Sequence, residues 1–144
     1  MNLTIVQWAA DECFRQKSGE RSVADMCKAW VTLSSYSRND EITSEVVIML
    51  GQIVEPQQNS RGFRNIPVRF ANGTMISASN IPHQVETLVE YTNVLSPLAW
   101  YTEFEKIHPF VDGNGRVGSL LFNFIAHTMN SPIAPPDVFG GENE

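Results

Sequence analysis

Two helical patterns separated by one short interruption constrain the fold of this chain most strongly. The first, PLAWYTEFEKI at residues 97–107, follows Ser96, and a serine followed by proline is a strong signal for a helix start. Pro109 disfavours a helical residue immediately before it, so this helix is expected to end just upstream. The second pattern, RVGSLLFNFIAHTMN at residues 116–130, is largely apolar, as is typical of a buried helix. The segment HPFVDGNG is therefore predicted to connect two packed helices.

The composition is that of a folded protein and excludes two classes of partner. With 144 residues, 42% hydrophobic and 18% charged, the chain is expected to form a single domain over residues 1–144, with an irregular tail at 131–144. No apolar run approaches the roughly 20 residues that cross a membrane, so no membrane partner is expected. The net charge of −6 argues against nucleic acid. The N-terminal residues do not resemble a secretory signal, which favours a cytoplasmic location.

The remaining periodic segments predict a mainly α protein. Further helices are expected at residues 3–16, 22–36, 44–54 and 82–93. Ser22 is expected to cap the second of these, and Thr43 or Ser44 to start the third. On the helix over residues 97–107, Glu103 and Glu105 are expected to form a solvated face.

One β-hairpin is the exception to this helical pattern. The short extended runs IPVRF and TMIS flank Asn72-Gly73, a dipeptide that readily adopts the left-handed angles of a tight turn. Pro67 suits an edge strand better than a central one. The pattern leaves two interpretations open. The hairpin is either a surface excursion or an edge that pairs with an extended segment of another chain.

The HPFVDGNG segment and the arginine after it combine residue types that suit phosphate chemistry. Backbone N–H groups in a glycine-rich turn at a helix start converge on an anion, and the helix dipole adds positive charge. Asp112 lies just before this turn and can bind Mg²⁺, which takes few protein carboxylates. His108 can accept a proton from a hydroxyl at neutral pH, and Phe110 is expected to anchor the loop in the core. The residues expected to hold phosphate are Gly113, Asn114, Gly115 and Arg116.

Each of these features alone has an ordinary structural interpretation. A histidine on a loop is usually structural or solvated, a DGNG sequence is usually a turn, and an arginine at a helix start usually lies on the surface. A base, a metal ligand and a phosphate cradle within nine positions together predict transfer of a phosphorus-centred group from a nucleotide.

The sequence HPFVDGNGR at residues 108–116 resembles the signature of the Fic/Doc family, H-P-F-x-D/E-G-N-G-R-x-x-R, in its first nine positions. The segments GFR at 62–64 and NIPHQVETLVEY at 80–91 resemble the region of the family's flap and the helix after it. The likeness covers roughly residues 42–127. It implies a helical bundle with a β-hairpin flap, and transfer of AMP from ATP to a hydroxyl of a target protein.

The resemblance also implies a role for each matching residue. His108 would be the general base, Asp112 would bind Mg²⁺, and residues 113–116 would hold the phosphates of the nucleotide. The flap, Arg69–Ser77, would align a segment of the target protein by main-chain pairing. The flap residues expected to contact that segment are Arg69, Thr74, Met75 and Ile76.

The chain departs from the family signature at its last position, where Ser119 replaces the second arginine. In AMP-transferring members that arginine engages the γ-phosphate. Two alternatives to AMP transfer therefore stay open: a Doc-like kinase toxin that transfers the γ-phosphoryl group, and a nucleotide-binding module without turnover. The inhibitory motif S/T-x-x-x-E-G/N of many members is also missing, so any control is expected from a separate inhibitory chain of the antitoxin kind.

Overall fold

The computed structural model describes residues 2–19, 21–37, 41–70 and 72–138. Within these residues the protein has six helices and one antiparallel hairpin, which confirms the predicted mainly α fold. The elements, in chain order, are α1 (Leu3–Arg15), α2 (Arg21–Ser34), α3 (Ser44–Val54), β1 (Val68–Arg69), β2 (Met75–Ile76), α4 (Ile81–Glu90), α5 (Pro97–Ile107) and α6 (Asn114–Ile125).

Side-chain caps set several of the helix starts. The hydroxyl of Thr43 accepts a hydrogen bond from Val46 N at the start of α3, and that of Ser96 accepts one from Ala99 N at the start of α5. The prediction for Ser22 was wrong, because α2 begins one residue earlier and the Ser22 hydroxyl instead donates to Ser18 O.

Helix α6 is the central element of the bundle. Every residue from Asn114 to Phe124 is buried, and the helix packs against α1, α2, α3 and α5. Replacing one of its core leucines with alanine would cost about 2 to 5 kcal/mol. The largest fully buried apolar side chains of α5, α6 and the turn between them are Trp100, Tyr101, Phe104, Phe110, Leu120 and Leu121.

The end of α6 differs from the prediction that it would run to residue 130. The helix ends at Ile125, because His127 adopts a left-handed conformation with φ of 61° and Thr128 N donates to Asn123 O. The Asn123 side chain also pairs with both backbone groups of Ile133, at 2.8 and 2.9 Å. Residues 131–138 contain no helix or strand, and residues 139–144 of the predicted tail lie outside the described part of the chain.

The predicted hairpin is present, and its turn includes Asn72 and Gly73. Val68 pairs with Ile76 and Arg69 with Met75. Gly73 has φ of +90° and its N–H donates to Phe70 O, and the Asn72 side chain accepts a hydrogen bond from Thr74 N. Gly73 therefore supplies a left-handed conformation at this turn, as glycine does without strain.

Within the described residues, no helix has both the length and the apolar character needed to cross a bilayer. The longest, α2, has 14 residues, whereas about 20 are required.

Candidate active site

His108 lies at the point where α5 ends. Its N–H still donates to Phe104 O at 3.0 Å, but its φ and ψ of 50° and 62° are left-handed and terminate the helix. Pro109 then prevents the helix from continuing. Residues other than glycine rarely adopt left-handed backbone angles. The surrounding contacts must therefore hold His108 in this conformation.

The imidazole of His108 is buried and electrically neutral. Only 3% of the residue is exposed, and its Nδ1 has no hydrogen-bond partner within the described residues. Burial lowers the pKa of His108 to about 4, and the positive charge of Arg64 acts in the same direction. The backbone of Glu105 and the Asp112 carboxylate oppose the shift without reversing it. At neutral pH the ring is therefore unprotonated and able to accept a proton.

The guanidinium of Arg64 holds the backbone on both sides of His108. It donates to His108 O at 2.6 Å and to Ile107 O at 3.2 Å, which are carbonyls left free by the end of α5. The backbone N–H of Arg64 also donates to Pro109 O at 2.9 Å. A second set of bonds runs to the flap region, to Ile66 O and Ile76 O.

Asn59 holds the Asp112 end of the same loop. Its side-chain amide donates to Asp112 O at 2.8 Å and accepts from Asp112 N at 3.4 Å, while also donating to Gly51 O in α3. The Asp112 carboxylate itself accepts from Gly113 N at 2.7 Å and is 42% exposed. The loop backbone is thus fixed from inside, and the carboxylate faces outward beside the start of α6.

The start of α6 has the geometry of an anion nest. Gly113 adopts φ of +82°, which glycine tolerates without strain, and the N–H groups of residues 114–116 begin a helix and have no acceptor in the previous turn. The Asn114 side chain is turned inward, where it exchanges two hydrogen bonds with the backbone of Phe110 at 2.8 and 2.9 Å. The Asn114 side-chain amide is therefore engaged within the loop, and the residue is fully buried.

Gly115 and Arg116 lie against other parts of the bundle. The buried side chain of Gln16 fills the space where a Cβ at Gly115 would stand. Arg116 is 1% exposed, and its guanidinium donates to Val54 O at 3.0 Å and to Glu55 Oε1 at 3.2 Å. Asp112 Oδ1 lies 3.7 Å from the same guanidinium. Arg116 therefore supplies positive charge from beneath the turn, partly neutralised by Glu55.

Phe110 occupies the core between α3 and the loop. It is fully buried, its ring lies 5.6 Å from that of Phe63, and it packs directly on Gly51, where any side chain would overlap the ring.

Three of the four flap residues expected to contact the target lie on an accessible surface. Arg69, Thr74 and Met75 are exposed and Ile76 is half-buried, and Arg69 donates to Gly73 O across the turn. The described part of the flap forms a two-stranded sheet, so each strand keeps an unpaired edge. Phe70, between the two strands, turns inward onto His108.

Ser119 and Glu105 are both fully buried near the first turns of α6. The Ser119 hydroxyl and both carboxylate oxygens of Glu105 have no hydrogen-bond partner within the described residues. Burial raises the pKa of Glu105 to about 8. The prediction that Glu105 forms a solvated face was wrong, because α5 turns it toward α6, where Gly118 leaves room for its carboxyl group.

The chemistry of the donors fits one magnesium ion. No group of three or more His, Cys, Asp or Glu side chains that could hold a metal occurs among the described residues. Mg²⁺ does not require such a group, since it commonly binds one or two carboxylates together with phosphate oxygens and water. Asp112, half-exposed and next to the nest, offers one such carboxylate.

Comparisons with known proteins identify the family and the fold of this chain. The sequence model of the Fic/DOC family matches residues 41–126, which are more than half of the chain. The chain is 31% identical over 107 residues to an Aquifex aeolicus protein named probable protein adenylyltransferase, covering 63% of this chain and 32% of the relative. It therefore spans about a third of that relative's length. Its fold is similar to that of a solved Fic-1 fragment from C. elegans with a glutamate-to-glycine substitution, at a TM-score of 0.56 and 23% identity, over 80% of this chain and 38% of that one. This chain belongs to the Fic/DOC family.

Proposed function

We propose that this chain is a nucleotide-dependent transferase that moves AMP, or another phosphate-linked group, from a nucleoside triphosphate to a hydroxyl of a target protein. The observation that carries the proposal is the neutral, buried imidazole of His108 on the same short loop as the nest at the start of α6. Membership of the family and the name of the Aquifex aeolicus relative support a transferase of this class.

In this proposal each residue of the loop has one task. The N–H groups of Asn114, Gly115 and Arg116 bind phosphate oxygens, and Gly113 gives the turn its left-handed shape. The Arg116 guanidinium adds positive charge below them. Asp112 would hold Mg²⁺, which when bound neutralises phosphate charge.

His108 acts on the incoming hydroxyl. The imidazole takes the hydroxyl proton as the oxygen forms a bond to the α-phosphorus, and the bond between the α-phosphorus and its bridging oxygen to the β-phosphate breaks. Pyrophosphate leaves and the target carries AMP. A target segment would lie along an open edge of the flap, paired through its main chain and contacted by the exposed Arg69, Thr74 and Met75.

The replacement of the family's second arginine by Ser119 supports one alternative. Without that arginine, the nucleotide can bind in another orientation, and the γ-phosphoryl group would then be transferred, as in a Doc-like kinase toxin. A third outcome is binding without transfer. A cytoplasmic location and a separate inhibitory chain are part of the same proposal.

The deciding experiment uses ATP labelled either at the α- or at the γ-phosphate, with Mg²⁺ and a cell lysate as the source of targets. We expect α-label on protein, lost in His108→Ala and retained in His83→Ala, which changes an exposed histidine at the start of α4. Transfer of γ-label that is lost in His108→Ala would instead establish a kinase. Nucleotide binding without label from any nucleoside triphosphate would establish a silent binding module. Labelling that survives His108→Ala would reject His108 as the base.

A further inference from the structure

We propose that Arg64 is a positioning residue that fixes the flap and the His108 loop in one relative arrangement, so that a hydroxyl held on the flap meets the imidazole. This role rests on the proposed function where it names His108 as the base. The hydrogen bonds by which Arg64 joins the hairpin to the His108 loop do not depend on the reaction.

The hydrogen bonds of Arg64 divide between two separate parts of the chain. Toward the loop, its guanidinium donates to Ile107 O and His108 O, and its backbone N–H donates to Pro109 O. Toward the hairpin, the same guanidinium donates to Ile66 O at 2.7 Å, before β1, and to Ile76 O at 3.4 Å, in β2. One planar group thus joins segments that lie at least 31 residues apart in sequence.

The chemistry of these contacts requires arginine. All four side-chain partners are backbone carbonyls, which do not neutralise a cation, and the residue is buried. Burial accordingly lowers the pKa of Arg64. A guanidinium has five N–H groups in a fixed planar fork and can satisfy acceptors on two sides at once, whereas the ammonium of lysine is a single point of contact.

The consequence for the site follows from where these carbonyls lie. The His108 carbonyl belongs to the left-handed residue itself, so its bond to Arg64 fixes the peptide that orients the imidazole. The Ile76 carbonyl belongs to a flap strand, and the flap places Phe70 on the imidazole ring. Loss of Arg64 should therefore release both parts together and change their relative position.

The test compares Arg64→Lys and Arg64→Met with Arg61→Met, a matched change of an exposed arginine on the same loop. Nuclear magnetic resonance would follow amide hydrogen exchange in the hairpin, the imidazole signals of His108, and amide exchange in α2 and α6. No nucleotide is needed, so the result is separate from that of the labelling experiment. In both Arg64 variants we expect hairpin amides to exchange about tenfold faster or more and the His108 signals to shift, with α2 and α6 unchanged. Arg61→Met should match the parent protein.

Two results would overturn the proposal. Unchanged hairpin exchange and His108 signals would show that Arg64 does not connect them, and equal acceleration in the hairpin, α2 and α6 would show a general structural role. If Arg64→Met does not fold, Arg64→Lys decides, because it keeps the charge and one donor group. Where labelling is observed, Arg64→Lys should lower kcat and raise KM for the target while leaving KM for the nucleotide unchanged.

Discussion

The ring of Phe70 meets that of His108 edge to face, with centroids 5.0 Å apart and an interplanar angle of 81°. Phe70 belongs to the flap and His108 to the loop after α5, so the element proposed to dock the target also covers the proposed base. This contact contributes to the burial that keeps the imidazole neutral. A target hydroxyl must displace Phe70 or enter beside it.

We predict that Phe70→Ala raises the pKa of His108 from about 4 toward its ordinary value of 6.5, because removing the ring admits water. In the proposed mechanism the unprotonated imidazole is the active form. Labelling by the parent protein should therefore fall only as the pH drops through about 4, and labelling by the variant should fall at higher pH. Titration of the His108 ring signals measures the pKa directly.

Phe14→Ala is the control for this experiment, since Phe14 is a largely exposed phenylalanine on α1. It should leave the His108 titration unchanged. An unaltered pKa in Phe70→Ala would show that other groups bury the imidazole.

We predict that Gly51→Ala destabilises the protein although alanine is the better helix former by about 1 kcal/mol. A methyl group at this position of α3 would overlap the Phe110 ring, and overpacking of a core costs about 1 to 3 kcal/mol. The double variant with Phe110→Leu should recover part of the loss. Denaturant unfolding of the parent protein, the two single variants and the double variant gives the coupling energy between the two positions. Additive effects of the two changes would contradict the predicted contact.

We predict that Glu105→Gln raises the unfolding free energy relative to the parent protein, and that this gain grows as the pH rises from about 4.5 to 8. In that interval the Glu105 of the unfolded chain is ionised, whereas burial keeps the native carboxyl protonated up to about 8. The unfolding free energy of the parent protein therefore falls with rising pH, by roughly 3 to 5 kcal/mol at most. Glutamine cannot ionise and avoids this loss.

Thermal unfolding at pH 4.5 and pH 8 measures the effect of Glu105→Gln. Glu103→Gln is the matched change, because Glu103 lies exposed on the same helix and pairs with Lys106. It should alter stability by only a few tenths of a kcal/mol. A variant-to-parent difference that is the same at both pH values would show that Glu105 is ionised in the native state.

We predict that Glu55→Gln tightens nucleotide binding about three- to tenfold. The Glu55 carboxylate lies 3.2 Å from the Arg116 guanidinium and reduces the positive charge available to phosphate, whereas glutamine keeps the acceptor oxygen but not the charge. Calorimetric titration with ATP and Mg²⁺ gives the affinity. Glu45→Gln, an exposed change at the other end of α3, should leave it unaltered. Weaker binding in Glu55→Gln would show that the carboxylate instead orients Arg116 for the nucleotide.

Local signals predicted the parts of the fold that depend on neighbouring residues. The Ser96-Pro97 start of α5, its end before Pro109 and the hairpin around Gly73 were all readable, because capping, proline sterics and left-handed glycine act within a few residues. The loop motif likewise indicated the family.

The roles of the residues that hold the site together could not be predicted from the sequence. Asn59 and Arg64 stand in a polar segment that is typical of a surface loop, yet both are buried and bond to residues 44 to 53 positions away. The burial of Glu105 was also missed, since only the packing of α5 on α6 turns that carboxyl inward. Such roles depend on tertiary contacts, which residue type and spacing do not encode.

The close approach of Gly51 and Phe110 has an evolutionary consequence. A mutation that adds a side chain at position 51 can persist only in a lineage where a smaller residue has already replaced Phe110. The order of the two substitutions therefore matters. Homologous chains should accordingly vary at these two sites as a pair, although 59 positions separate them along the sequence.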